Sequence, residues 1–236
     1  MKTKTNTAPK TEQHAKIFRP GHELPLLYSD PHYLIINKPS GLAVHPGPRT
    51  TASVEGCMLP HPRGGPWLVH RLDRDTSGCL LIARRKTALI SAQNLFSQRQ
   101  IRKIYWAVVE GTPDGDTGLI VQPLKKLNTP KGWHMVCHPD GEPAETQWRV
   151  LSQGQGKALL ELELKTGRTH QARVHCAALG TPIIGDTLYG SKSRTDLHLL
   201  ARSLTLPLGE KILHAVAPPP ETMLKTLAEA GQPYYS

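Results

Sequence analysis

Four short apolar runs separated by turn residues constrain the fold of this 236-residue chain more than any other feature. They occupy residues 33–36, 79–83, 104–109 and 159–164. Runs this short and rich in Val, Ile and Leu predict β-strands. Residues 160–164 alternate Leu with Glu, which predicts one buried and one wet side, whereas residues 104–109 are apolar on both sides and are expected at the centre of the sheet.

Helical periodicity appears in three stretches, residues 86–98, 169–179 and 221–230. The helices and strands do not alternate as regular β-α-β units. We therefore predict an α+β fold with a mixed, mainly antiparallel sheet flanked by helices and loops. Segments 45–66 and 111–145 are rich in Pro and Gly, which indicates long surface connections.

The first 22 residues carry five Lys or Arg against one acidic residue and no sustained apolar period, which predicts a basic, flexible arm. We expect a single domain over residues 23–236. No apolar run reaches the roughly 18 residues of a membrane span, and the first ten residues are too polar for a signal peptide. A cytoplasmic location without membrane contact is the default expectation. The four cysteines lie far apart, so we expect reduced thiols and no disulfide framework.

Charge gives the first indication of function. The chain has 29 Lys and Arg against 19 acidic residues, a formal net charge of +10. This balance favours a polyanionic partner such as nucleic acid, although it also serves solubility. Aromatic residues make up only 5% of the chain, which argues against a binding platform lined by many rings.

The segment 69–78 contains five ionisable residues directly before a strand that looks fully buried. Asp75, Thr76 and Ser77 are explained by ordinary turn chemistry. Asp73 differs because it lies between two arginines, which favour an ionised carboxylate that is available as a nucleophile.

Residues 70–78, His-Arg-Leu-Asp-Arg-Asp-Thr-Ser-Gly, resemble the signature of the RluA family of RNA pseudouridine synthases. Three more segments resemble family motifs in the same order. They are Asn37 to Leu42 with Val44 to Gly47, Lys103 to Tyr105 with Gly111, and Lys165 to His175 followed by Gly180, Pro182, Ile183, Gly185 and Asp186. The resemblance covers residues from about Leu27 to about Pro220, and four ordered motifs make chance agreement very improbable.

The resemblance implies an isomerase that converts uridine to pseudouridine in structured RNA, either large-subunit ribosomal RNA, transfer RNA or both. It implies catalytic roles for Asp73, Tyr105 and Arg173. Tyr105 would stack on the uracil, and Arg173 would pair with Asp73. From the residues alone, a core tyrosine and a surface arginine on an amphipathic helix remain alternatives.

Base flipping, which leaves a gap in the RNA stack, is also implied by the resemblance. Arg71 is the candidate for filling that gap, while His70, Lys103 and Arg168 are candidate RNA contacts. The reaction needs no cofactor, and the sequence contains neither a phosphate-binding Gly-rich loop nor a metal-ligand cluster. We expect a monomer without a nucleotide cofactor or metal. Relatives commonly carry an S4 RNA-binding domain, and we expect the basic arm to stand in its place here.

Two alternatives stay open at this stage. A non-catalytic RNA-binding or ribosome-assembly factor could use the same basic face, but it would gain nothing from the carboxylate of Asp73. A base-removing glycosidase would need a second carboxylate to activate water, and no other acidic residue is obviously positioned for this by the sequence. If the chain is a synthase, Asp73 could add to the ribose or assist proton removal from the sugar.

Three departures from the family pattern are visible, one of which is Ala172 in place of the usual bulkier aliphatic residue. The chain has Leu199-Leu200-Ala201 where many members have Leu-His-Ala, so that histidine is either absent or moved to His198. It also has Gly141-Glu142 where Gly-Lys is common.

Overall fold

Twelve strands and four α-helices form the part of the chain that the structure describes. The computed structural model describes residues 17–47, 50–62, 64–130 and 132–232. The strands are β1 (Leu26–Ser29), β2 (Tyr33–Lys38), β3 (Trp67–Leu68), β4 (Ser77–Ala83), β5 (Arg102–Glu110), β6 (Thr117–Val121), β7 (Leu124–Thr129), β8 (Gly132–Cys137), β9 (Glu145–Gly154), β10 (Lys157–Leu164), β11 (Leu199–Leu208) and β12 (Lys211–Val216). The helices are α1 (Val54–Cys57), α2 (Lys86–Ser97), α3 (Gln171–Ala178) and α4 (Glu221–Glu229), with a short 3-10 helix at Thr187–Tyr189.

The main sheet has the strand order β1-β2-β4-β11-β5-β10-β9-β6, with β3 paired to β4 and β12 to β11. Its described pairings are antiparallel except for β4 with β11, where Leu200 lies opposite Ser77. This arrangement confirms the predicted α+β class. The strand with apolar residues on both sides, β5, lies between β11 and β10, so its predicted central position is correct.

Both faces of the sheet are covered, and β4 is buried along its whole length. On one face the core includes Ala88 of α2 and Leu227 of α4. On the other face it includes Ile17 and Phe18, which are 5% and 0% exposed. The domain core therefore begins within the segment predicted to be a flexible arm. The short apolar pair was overlooked because two residues show no periodicity. Residues 1–16 lie outside the described part of the chain.

The predicted surface connection 111–145 contains three strands, β6, β7 and β8, and this prediction was wrong. Strands β7 and β8 form a separate two-stranded sheet, here called the β7–β8 hairpin. Its buried residues Leu124 and Met135 pack against Val174 of α3 rather than against the main sheet. Because polar residues such as Lys125, Lys126 and Asn128 interrupt its apolar positions, this hairpin lacks the long apolar run of a core strand. Within the described part of segment 45–66, α1 is the single helix and no strand occurs.

One glycine fixes the start of β4 against β11. Gly78 has φ +108°, and a Cβ atom at this position would lie 2.3 Å from the carbonyl oxygen of Ala201. Only glycine permits this close approach of two backbones. The loop that precedes β4 is thus tied to the centre of the sheet.

The four cysteines are unpaired thiols, as expected. In the described residues, no helix is long and apolar enough to cross a membrane.

Candidate active site

A pocket of about 280 Å³ lies between the loop that precedes β4, strand β5 and the start of α3. All seven predicted site residues line it. They are His70, Arg71 and Asp73 from the loop, Lys103 and Tyr105 from β5, and Arg168 and Arg173 at the start of α3. The fold therefore brings together residues that lie up to about a hundred positions apart in the sequence.

The loop that carries Asp73 is held by a buried lysine at the end of β2. Lys38 is fully buried, and its Nζ donates to three carbonyl oxygens at 2.8 Å each, those of Pro39, Leu42 and Arg74. Burial lowers the pKa of Lys38 to about 8, although the carboxylates of Asp75 and Asp73 partly offset this effect. Since the carbonyl of Arg74 directly follows Asp73, this lysine fixes the backbone on which the carboxylate stands.

Arg173 faces two carboxylates at the pocket. Its Nη1 lies 3.8 Å from Oδ2 of Asp73, as the resemblance implies. Its stronger partner is Asp186, which accepts from Nε at 2.7 Å and from Nη2 at 2.8 Å. Asp186 is 2% exposed, so this forked ion pair is buried and fixes the guanidinium plane. The guanidinium of Arg173 is therefore fixed in orientation beside Asp73, and Arg173 is not a free surface arginine.

His170 stands at the N-cap of α3 and approaches the same carboxylate. Its Nε2 lies 3.9 Å from Oδ2 of Asp73, and its Nδ1 is 2.7 Å from the hydroxyl of Tyr189. That hydroxyl also accepts from the backbone N–H of Met135 in β8. Burial lowers the pKa of His170, while the nearby Asp73 opposes the shift. The left-handed backbone of His170, with φ +55°, turns the chain into the helix at this point.

Tyr105 and Lys103 lie two residues apart on β5 and therefore share the side that faces the pocket. Burial raises the pKa of Tyr105, and the negative charge of Asp73 raises it further, so its hydroxyl is neutral near pH 7. The ammonium of Lys103 donates to the carbonyl of Thr166 at 2.9 Å, and burial lowers its pKa to about 8. The pocket wall thus combines a neutral phenol with a lysine that is charged at pH 7.

Arg168 lies at the rim of the pocket in an ion pair. Its Nη1 contacts a carboxylate oxygen of Glu142, and its Nε donates to the carbonyl of Pro143 at 3.1 Å. Glu142 is the residue that departs from the family's common Gly-Lys. The guanidinium of Arg168 is therefore already engaged in the RNA-free protein.

His70 does not match its predicted role as a phosphate contact. Its Nε2 accepts a hydrogen bond from the backbone N–H of Leu81, and its ring packs 4.9 Å from that of Phe96. Burial lowers the pKa of His70 to about 4, so the ring carries no positive charge near pH 7. A neutral ring that holds a strand amide is a structural group. Its neighbour Arg71 is exposed at the pocket mouth.

Sequence reasoning assigned no role to Lys38, Asp186 or Tyr189, although the first two stood within quoted motifs. Their partners are distant in sequence or set by backbone atoms, so no local pattern pointed to them. The suggestion that a family histidine had moved to His198 is wrong. His198 hydrogen-bonds to Thr226 of α4 and the backbone of Asp196, and it does not line the pocket.

The site thus presents one carboxylate, Asp73, between two nitrogen groups, Arg173 and His170, in a pocket with a tyrosine wall. Such a carboxylate can act as a nucleophile or a base. Among the described residues, no three His, Cys, Asp or Glu side chains are grouped as a metal site requires.

A family model described as RNA pseudouridylate synthase matches residues 32–178, which include this loop, β5 and α3. The chain belongs to this family. The synthase is 42% identical over 207 residues to an uncharacterised RNA pseudouridine synthase of Zymomonas mobilis, with 83% of this chain and 94% of that relative covered. It is 36% identical over 206 residues to the ribosomal large subunit pseudouridine synthase C of Vibrio cholerae, with 82% and 65% covered.

A solved structure agrees with the sequence comparisons. The human protein described as RNA pseudouridylate synthase domain containing 4 superposes with a TM-score of 0.75 at 28% identity, covering 89% of this chain and 95% of its own. The resemblance to the RluA family is confirmed. The protein is an enzyme, an isomerase that acts as an RNA pseudouridine synthase. The non-catalytic alternative is set aside.

Proposed function

We propose that this synthase isomerises specific uridines in structured RNA, in large-subunit ribosomal RNA, transfer RNA or both, with Asp73 as the catalytic carboxylate. The observation that carries the proposal is the position of Asp73. Its side chain lies in the pocket, 21% exposed, 3.8 Å from Arg173 and 3.9 Å from His170. The ribosomal RNA assignment is supported by the names of the relatives from Vibrio cholerae and Yersinia pestis, both ribosomal large subunit synthases.

The reaction exchanges one bond for another. The bond between the anomeric carbon and N1 of uracil breaks, the detached base turns within the pocket, and the anomeric carbon joins C5. The proton on C5 is lost and N1 gains one, so the net change is an isomerisation. Asp73 acts either by adding to the anomeric carbon or by assisting proton removal from the sugar, and the site geometry fits both routes.

Other pocket residues support this chemistry. Asp186 holds Arg173 beside Asp73, so that the carboxylate of Asp73 faces a guanidinium of fixed orientation. The Tyr105 ring provides a flat surface for the uracil, and its neutral hydroxyl can donate a hydrogen bond to the substrate. The pocket receives only a flipped base, since the target atom is inaccessible within a stack. Arg71, exposed at the mouth, fills the space that the base vacates, and its planar guanidinium can stack on neighbouring bases.

We further propose that the catalytic domain starts at Ile17, because Ile17 and Phe18 belong to the core. Residues 1–16 remain as the basic arm, with four lysines that contribute unspecific phosphate contacts.

The test compares Asp73→Asn with the matched variant Asp75→Asn. Asp75 is on the same loop with 59% of its side chain exposed. Pseudouridines are mapped in RNA from cells with and without the gene, and the purified variants are then assayed on RNA from the cells that lack it. We expect Asp73→Asn to have below about one percent of wild-type turnover with RNA affinity within a few fold, because only the catalytic carboxylate is removed.

Asp75→Asn should retain turnover within a few fold. Tyr105→Phe should bind RNA normally but turn over far more slowly, since its ring remains and its hydroxyl is lost. Turnover of Asp73→Asn above one percent would exclude the assigned role of Asp73. An unchanged pseudouridine map on gene removal would exclude the proposed RNA classes.

A further inference from the structure

A second cleft lies directly beside the active-site pocket and has no role in the chemistry described above. Its volume is about 570 Å³. The two cavities share Arg71 and Leu72, so they are contiguous at the pocket mouth. The other walls of the second cleft are residues 43–47 with Thr50, the side chain of Arg74, and Trp133 of the β7–β8 hairpin.

Trp133 is an unusual residue for this position. Its indole is 43% exposed on a hairpin whose other exposed side chains are mostly polar. One side of the ring is stacked on His170, with centroids 5.2 Å apart and planes inclined by 27°. The ammonium of Lys126, an exposed lysine on β7, lies 4.7 Å from the indole centroid. The contact with His170 therefore holds the indole in place, and the exposed part of the ring remains available to a ligand.

The cleft is also basic. Arg71 is exposed, and Arg74 has 70% of its side chain exposed while its Nε donates to the carbonyl of Gly41 at 3.0 Å. Two carboxylates offset part of this charge at the rim: Asp75, at 3.9 Å from Arg74, and Glu55, at 2.9 Å from His45. A flat aromatic surface beside guanidinium groups matches the two parts of a nucleotide, since bases stack on rings and phosphates pair with arginine.

We propose that this second cleft binds an unpaired nucleotide adjacent to the target uridine in the RNA strand, with its base stacked on Trp133 and its phosphate at Arg74. This rests on the proposed function, because the neighbour is defined by the uridine in the pocket. The shared wall at Arg71 and Leu72 gives the strand a continuous path from one cavity into the other. The base displaces the ammonium of the exposed Lys126 from the indole, and that ammonium then pairs with a phosphate of the RNA backbone.

The nucleotide must be unpaired because a base within a duplex already stacks on both sides. The cleft would therefore select uridines in loops rather than in helices. Stacking on an indole accepts any base, so this contact selects RNA shape more than sequence.

The test uses two probes, a 12-nucleotide oligouridylate and heparin, which carries negative charge but no bases. Variants Trp133→Ala and Trp133→Phe are compared with Leu127→Ala. Leu127 is 37% exposed on the same hairpin, and it alternates to the side opposite Lys126. We expect Trp133→Ala to bind the oligouridylate roughly tenfold more weakly and heparin as the wild type does. Leu127→Ala should match the wild type for both probes.

Fluorescence gives a second readout that does not depend on the alanine variant folding correctly. Trp133→Phe retains a ring to pack on His170. The oligouridylate should quench the wild-type tryptophan fluorescence, and this quenching should largely disappear in Trp133→Phe, whereas heparin should quench neither. Equal quenching in both proteins, or a loss of heparin binding that parallels the loss of oligouridylate binding, would overturn the stacking role.

Asp73→Asn separates this inference from the proposed function. It should bind the oligouridylate like the wild type. If Asp73→Asn proves active while Trp133→Ala still loses affinity, the catalytic assignment fails and the nucleotide site stands. If Asp73→Asn is inactive and Trp133→Ala binds the oligouridylate normally, only the nucleotide site fails.

Discussion

The loop that carries Asp73 and the β7–β8 hairpin flank the same site but are attached to the protein in different ways. The loop is joined to the main sheet at several points, including the three hydrogen bonds of the buried Lys38 and the close contact of Gly78 with Ala201. The hairpin lies outside the main sheet and packs against α3 through Leu124 and Met135. The catalytic carboxylate is thus supported by the core, whereas the proposed stacking residue Trp133 stands on the less embedded element.

The largest difference in stability should appear between replacement of the lysine that anchors the loop and replacement of a lysine on the hairpin. Lys38→Met removes the donor for three carbonyl oxygens, which we expect to lower the free energy of unfolding by about 2–4 kcal/mol. Lys126→Met, at an exposed side chain of β7, should change it by less than about 0.5 kcal/mol. Urea denaturation of both variants measures the two values. Equal losses would mean that the loop is no better anchored than the hairpin.

A smaller effect should come from titration of Lys103, whose pKa is lowered to about 8 by burial. As the pH rises from 7 to 8.5, this ammonium loses its proton, and its contact with an RNA phosphate weakens. The slope of log affinity against log salt should then become less steep by up to about 0.7. Lys103→Met should show the shallower slope at both pH values. A pH-independent wild-type slope would remove Lys103 from the RNA contacts.

The smallest expected effect concerns the link between the hairpin and the pocket rim. Glu142, bridged to Leu124 at the base of the hairpin, pairs with Arg168. Glu142→Gln releases this guanidinium, and RNA affinity should rise about two- to fivefold at low salt. Asp140→Asn, a nearby exposed carboxylate that pairs with Lys125, serves as the control for net charge. The same gain in both variants would show that charge alone, rather than release of Arg168, is responsible.

The two regions also differ in how well the sequence predicts them. Residues 104–109 are apolar on both sides, and this pattern alone predicted the central strand. The hairpin was missed because Leu124 and Met135 are too few and too widely spaced to form a recognisable strand pattern, and they pack on a helix that is distant in sequence. The apolar pair Ile17 and Phe18 was missed for the same reason.

The sequence also predicts the candidate active site only in part. The convergence of Asp73, Tyr105 and Arg173 on one pocket was expected from the ordered motifs. The pairing of Arg173 with Asp186 and the hydrogen bond from the amide of Leu81 to His70 were not, since each depends on which neighbour the fold places against the side chain. A histidine in a basic segment looks like a phosphate contact until its environment shows that it is neutral.

The ion pair between Arg173 and Asp186 has a consequence for what the pocket admits. Because Asp186 already pairs with the guanidinium, Arg173 offers no free positive charge to a phosphate, although it lies beside Asp73. The positive charge that a phosphate can reach therefore lies on Arg71 at the mouth and on Lys103 in the wall. A phosphate gains nothing by moving from these groups toward the carboxylates of Asp73 and Asp186, whereas an uncharged uracil has no such preference. The arrangement of charge thus favours entry of the base and leaves the RNA backbone at Arg71 and Lys103.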